Sequence, residues 1–216
     1  MTGSADRVRR ALRLMVITHP HPRCGRPLEV VVEEVVTAGA TAIQLRDKQA
    51  PPRELLALAR RLRAVTTRNE ALLIVNDRLD IALAAGADGV HLGPDDVPVA
   101  AARRVAPDDF LVGHSTDDPG EARRAEADGA DYLGCGTVFP TSGKADAGAV
   151  IGVGGLAAVA RSVRIPVLAI GGVTADRVPL LGGSGAGGVA VISAVMAAAR
   201  PADAARRLRE AVEGWG

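Results

Sequence analysis

The chain has 216 residues, with 26 Lys or Arg against 25 Asp or Glu and a net charge of +1. That balance argues against a nucleic-acid binder relying on bulk positive charge and against a polybasic membrane anchor. Apolar residues are 48% of the chain, enough for a substantial core, while aromatics are only 2%, which argues against base-stacking recognition and leaves the core to Val, Leu, Ile and Ala.

Near the N-terminus, the apolar run 14–17 is too short for a signal h-region. No stretch approaches the ~20 apolar residues that span a bilayer. Cys24 and Cys135 lie far apart, so reduced thiols and a cytoplasmic protein are expected. Runs of strand length then recur at 14–18, 42–46, 72–76, 89–92, 111–113, 132–136, 166–171 and 188–193. Most are apolar throughout, the pattern of parallel strands covered by helices. Helical periodicity fills the intervals. Leu28, Val31, Val32 and Val35 share one face, with Glu29, Glu33 and Glu34 left to water. Leu55, Leu58, Ala59 and Leu62 repeat the spacing, and Arg53, Arg60, Arg61 and Arg63 read as a solvated face rather than a binding patch.

A Gly-Ala pair precedes a strand at Gly39, Gly86, Gly129 and Gly185, as expected of a helix end turning into the next strand. Alternating strands and helices joined this way predict a single-domain α/β (β/α)8 TIM barrel over residues 1–216. Residues 1–12 read as an N-terminal extension and 137–155 as a mobile loop over the active site. A doubly wound sheet is the competitor, but no G-x-G-x-x-G follows the first strand.

Barrel active sites gather at the C-terminal ends of the strands. The second strand ends Gln44-Leu45-Arg46-Asp47-Lys48, and alternation places Gln44, Arg46 and Lys48 on one side, suited to an anionic substrate. The third ends Asn76-Asp77-Arg78, which either caps the next helix or supplies ligands. The fourth ends at His91 and leads to Asp95 and Asp96; Asp77 and Asp96 together could hold Mg²⁺. His91 reads as a hydrogen-bonded barrel residue. After the fifth strand, Ser115 and Thr116 either cap a helix or face the substrate, and His114 is a candidate acid or base. The stretch after the sixth, through Thr141, Ser142 and Lys144, could close over a phosphate. It is not a Walker A loop, because Lys144 is followed by Ala145. Gly171 and Gly172 after the seventh strand and Ser193 after the eighth mark the usual phosphate site of barrels. A charged, metal-compatible site beside an uncharged phosphate cradle suggests two phosphorylated substrates, one a diphosphate.

These segments, taken in order with their spacing, resemble thiamine-phosphate synthases over nearly the whole chain: 44–48, 76–78, 89–96, Phe139-Pro140-Thr141 with Lys144, and Ile170-Gly171-Gly172. The resemblance implies a (β/α)8 barrel and a transferase joining a hydroxymethylpyrimidine diphosphate to a hydroxyethylthiazole phosphate. It implies that Arg46, Lys48, Asn76 and Lys144 bind diphosphate, and that Asp77 and Asp96 bind Mg²⁺. Gln44 and Ser115 would contact the pyrimidine or diphosphate region. Thr141, Gly172, Ile192 and Ser193 would hold the thiazole phosphate, and Lys144, Arg46, Lys48 and Ser115 would carry catalysis. Similar proteins lead one to expect a homodimer working on small molecules. The chain departs from the family where Pro94 replaces a common Gln, where Gly143 replaces a hydroxyl residue before the lysine, and where Thr137 replaces a common Pro. The nearest alternative is the thiazole tautomerase branch of the superfamily, which uses a His after the sixth strand where this chain has Thr137; a second is a non-catalytic thiamine-phosphate-binding regulator.

Overall fold

The computed structural model describes residue 8 and residues 10–141 and 149–214. Eight parallel strands close a barrel in sequence order, β1 through β8: Leu14–Ile17, Ala42–Leu45, Leu72–Asn76, Gly89–Leu92, Leu111–Ser115, Tyr132–Cys135, Val167–Ile170 and Gly188–Val191. Helices follow them on the outside: α1 Leu28–Thr37, α2 Pro52–Arg68, α3 Leu79–Ala85, α4 Val99–Arg103, α5 Pro119–Ala127, α6 Gly152–Ser162, a 3₁₀ helix Ala175–Leu181, α7 Ser193–Met196 and α8 Pro201–Glu213.

Strand alternation divides the apolar residues into two cores. Ile43, Leu45, Leu73, Val75, Val90 and Leu133 point outward and meet the helical stripes, including Val31, Val35, Ala59 and Leu62, in one continuous shell. Met15, Ile17, Ala42, Ile74, Tyr132, Leu168 and Ala190 point inward and fill the lumen. Both faces of each strand are therefore dry, which explains runs that are apolar throughout. Leu12, at the end of the expected extension, is fully buried in the lumen core, with Val8 packed against it.

The Gly-Ala joints take the left-handed conformation, as at Gly86 (φ 64°), which ends α3. Two of them carry an added device. Asp88 accepts from Leu73 N at 2.8 Å and from Arg63 at 2.8 Å. Asp131 accepts from Val112 N at 2.8 Å and pairs with Arg103. Each aspartate ties a strand start to the preceding helix, at the N-terminal end of the barrel. Arg63 is thus a structural staple, whereas Arg61 and Arg68 pair with Glu29 and Glu33 on the exposed helix surface.

Several strands stop short of their apolar runs, because the chain turns into loops at residues 18, 46, 136 and 171. β5 runs further than its apolar run. His114 and Ser115 still pair with Leu133 and Gly134, since the Ser115 hydroxyl finds a partner inside the lumen and its polarity does not end the strand. The two-core arrangement predicts a sharp contrast in α2. Leu62→Ala should cost about 2–5 kcal/mol in urea unfolding, while the neighbouring Arg61→Ala should cost about 0–1 kcal/mol.

Candidate active site

Gln44 ends its side chain inside the lumen, 2% exposed, with its amide nitrogen 3.4 Å from Met15 Sδ. β2 ends one residue later, at Leu45, so strand alternation does not extend from Gln44 to Arg46 and Lys48. Arg46 and Lys48 instead stand on a loop with its own scaffold. Buried Thr18 accepts from Arg46 N at 2.9 Å, and the Asp47 carboxylate accepts from Gln49 N at 2.9 Å and Ala50 N at 3.0 Å. Asp47 therefore shapes the turn that presents Lys48.

The loop after β3 resolves the choice between cap and ligand. α3 has Arg78 at its N-cap position with no side-chain cap, and Arg78 pairs with Asp80 at 2.6 Å. Asp77 is held in the left-handed region (φ 62°), its N–H donating to His91 O at 2.8 Å. A non-glycine residue in that region is strained and is fixed only by its surroundings. Its carboxyl meets that of Asp96, which is itself oriented by Gly93 N at 2.7 Å. Burial, then the Asp96 carboxylate, push the Asp77 carboxyl up to about 6, and Lys48 and Arg46 pull in the opposite direction. Arg46, Lys48, Asp77 and Asp96 thus form one electrostatic unit, with Asn76 at the end of β3 beside it.

Two carboxylates facing each other form an all-oxygen donor pair. They fit a hard divalent cation such as Mg²⁺, which takes one or two carboxylates and completes its shell with water and substrate phosphates. Among the described residues no cluster of three or more His, Cys, Asp or Glu offers a denser metal site.

Beside this unit lies a cavity of about 210 Å³ between the loops after β5, β6, β7 and β8. Ser115, Thr141, Gly172, Ile192 and Ser193, all expected site residues, line it. Pro94 and Thr137 line it too, so two of the departures face the site directly. Gly172 (φ 63°) has room for no side chain: a Cβ would lie 2.6 Å from Phe139 O and 2.8 Å from Pro140 O. Arg177 locks this approach, donating to Gly172 O at 2.8 Å and Pro140 O at 3.4 Å, with its guanidinium 5.4 Å from the Phe139 ring centre. Nothing in the sequence singles out Arg177, an exposed-looking residue on an irregular helix.

Ser115 and Thr116 both line the cavity, and Thr116 also braces the turn into α5. Thr116 accepts from Asp118 N at 3.2 Å and donates to Glu121 at 3.1 Å, and the Asp118 side chain caps α5. Ser115 faces the cavity and bonds His91 Nε2 at 2.8 Å. His91 is the hydrogen-bonded barrel residue anticipated, with Tyr132 on its other nitrogen at 3.1 Å. His114, one residue from Ser115, points to the opposite side of β5. Burial lowers its pKa there, and its Nδ1 has no hydrogen-bond partner among the described residues. Lys144, Ser142 and Gly143 lie outside the described residues, as does the rest of 142–148 in the expected mobile loop. No described helix is long and apolar enough to cross a membrane.

Cations, a carboxylate pair and a glycine-walled cavity at the C-terminal mouth of a (β/α)8 barrel define an enzyme built for phosphorylated substrates. A family model described as thiamine monophosphate synthase matches residues 14–195. A thiamine-phosphate synthase of Moorella thermoacetica is 50% identical over 188 residues, covering 87% of this chain and 90% of that protein. One from Pyrococcus furiosus is 47% identical, covering 95% and 97%. A solved thiamine phosphate pyrophosphorylase from Pyrococcus furiosus superposes with a TM-score of 0.88 at 45% identity, covering 96% of this chain and 98% of that one. The chain belongs to the thiamine monophosphate synthase family, whose synthases are transferases.

The carboxylate pair carries a stability signature. Asp77 binds its proton more tightly folded than unfolded, so metal-free protein should lose stability as pH rises from about 4 to about 6, and stay level above. Asp77→Asn removes the repulsion and keeps a residue that tolerates the left-handed backbone. At pH 8 without metal it should melt about 2–4 °C above wild type, an allowance of about 1 kcal/mol for a half-exposed group. Below pH 4 the two should coincide in thermal denaturation.

Proposed function

We propose that this chain joins 4-amino-2-methyl-5-hydroxymethylpyrimidine diphosphate to 4-methyl-5-(2-hydroxyethyl)thiazole phosphate, giving thiamine phosphate and diphosphate. The observation that carries this reading is the juxtaposition of one charged unit, Arg46, Lys48, Asp77 and Asp96, with one nearly uncharged cavity ending in Gly172 and Ser193. A substrate with two linked phosphates suits the first, and a phosphate monoester on an apolar ring suits the second.

In the reaction the C–O bond to the diphosphate breaks and its electron pair leaves with the diphosphate. The pyrimidine-methyl cation that remains is stabilised by the ring amino group. The thiazole nitrogen then donates its lone pair to form the C–N bond. No protein nucleophile is required, so the chain's work is placement and charge. Arg46 and Lys48, with Asn76, hold the diphosphate and balance the charge that grows on it. Lys144 joins them on the strength of sequence alone. Asp77 and Asp96 would hold Mg²⁺, which when bound neutralises the leaving group. Gln44 and Ser115 orient the pyrimidine or the adjoining diphosphate, and Thr141, Gly172, Ile192 and Ser193 hold the thiazole phosphate in line. The apolar lumen beneath excludes water from the cation.

The tautomerase alternative needs a proton carrier after β6, where Thr137 stands, and His114 faces away from the cavity. Both placements support the synthase.

Purified protein given both substrates should form thiamine phosphate with Mg²⁺, lose that activity in EDTA and recover it when Mg²⁺ returns. Lys144→Ala should lower kcat about 10²–10³-fold with little change in KM, because it removes charge stabilisation that grows toward the transition state. Wild-type turnover by Lys144→Ala and Asp77→Ala enzymes would show the assigned roles to be wrong.

A further inference from the structure

The lumen of a barrel is ordinarily filled by branched aliphatic side chains. Here its upper part holds two rings with polar atoms. Tyr132 is fully buried, and His91 is 8% exposed. The neighbouring strands make room for them with glycine. A Cβ at Gly113 would overlap the Tyr132 ring, and one at Gly134 would lie 3.2 Å from His91 Cε1. Gly113 stands opposite both His91 and Tyr132 in the sheet register, and Gly134 stands opposite Ser115. A packed aliphatic layer has been given up at four adjacent positions for a hydrogen-bonded chain: Tyr132 hydroxyl to His91 Nδ1 at 3.1 Å, and His91 Nε2 to Ser115 Oγ at 2.8 Å. The chain ends at the cavity wall.

The direction of this chain follows from its buried end. Burial raises the Tyr132 pKa, so the phenol stays protonated. Among the described residues His91 Nδ1 is the acceptor within reach of its hydroxyl proton. If Nδ1 carried a hydrogen, the Tyr132 proton would be left without an acceptor in a dry site, which is unfavourable. Tyr132 therefore donates to Nδ1, the ring hydrogen sits on Nε2, and Nε2–H donates to Ser115 Oγ. With its oxygen engaged as acceptor from behind, Ser115 presents its own hydrogen to the cavity.

We propose that Tyr132 and His91 are positioning residues that fix Ser115 as a hydrogen-bond donor toward the substrate, so that this hydroxyl greets a lone pair on the pyrimidine diphosphate. This rests on the synthase reading of the site. Neither residue touches substrate; both act through Ser115, and the second-sphere tyrosine decides the imidazole tautomer.

Two measurements test it. Nitrogen-15 NMR of the histidine ring, assigned with His91→Gln, should show the Nε2–H tautomer in wild type and a mixture in Tyr132→Phe. Tyr132→Phe keeps the ring that Gly113 accommodates, so it should fold, with circular dichroism as the check. In steady-state assays Tyr132→Phe should lower kcat about tenfold, the worth of one hydrogen bond, with KM for both substrates nearly unchanged. In a Ser115→Ala background the same substitution should have no further effect. Independent, multiplying effects of the two substitutions on kcat, or an Nδ1–H tautomer in wild type, would overturn the proposal. Absence of thiamine phosphate formation by wild type would overturn the reaction instead, and the tautomer measurement would still judge the chain.

Discussion

Two carboxylates face each other at the mouth of this barrel, and the fold does nothing to separate them. Asp77 is held by a left-handed backbone and Asp96 by the Gly93 amide, so neither can swing away cheaply. Burial, and then the resistance of two such close like charges to simultaneous ionisation, lets Asp77 keep its proton to about 6. Arg46 and Lys48 offset only part of that repulsion. On the proposed function, a divalent cation carrying a diphosphate would complete the arrangement, with Asp77 and Asp96 holding the metal and Arg46 and Lys48 facing the phosphates.

The other half of the site is joined to this one by a single short loop. Pro94 lines the cavity, while Asp96, two residues on, faces Asp77. In the proposed reaction, the turn after β4, whose Gly93 amide is pinned by Asp96, would help set the distance between leaving group and attacking ring. On the far wall, Arg177 binds the β6 loop to the Gly172 turn. Two walls of the cavity are thus tied down by hydrogen bonds to backbone, which would favour the in-line substitution proposed above.

The barrel was legible because the features that announce it are local. Apolar runs such as Leu72–Asn76 need only be dry on both faces, and Gly86 or Gly129 need only supply a positive φ at a helix end. The placement of Asp77, Asp96, Ser115 and Ser193 was legible because a barrel puts strand ends at one mouth. The presentation of Lys48 was not. It depends on Asp47 and Thr18 folding the loop, and strand alternation says nothing once the strand has ended. Tyr132 was not legible either, since an aromatic in an apolar strand reads as ordinary core. Its partners come from β4 and β5, 41 residues away for His91, and only pairing across the closed sheet brings them together. Small residues at lumen positions, Gly113 and Gly134, were the signal available, and they gain meaning only beside the rings they accommodate.

The central claim is that carboxylate pair, metal and diphosphate form one interdependent unit. Calorimetric titration of inorganic diphosphate into the protein, with Mg²⁺ and with EDTA, measures that interdependence without any turnover. The account predicts that Mg²⁺ tightens diphosphate binding about 10–100-fold and that diphosphate tightens Mg²⁺ binding by the same factor. It further predicts that Asp96→Asn removes most of this coupling. Equal diphosphate affinity in Mg²⁺ and in EDTA would contradict the account.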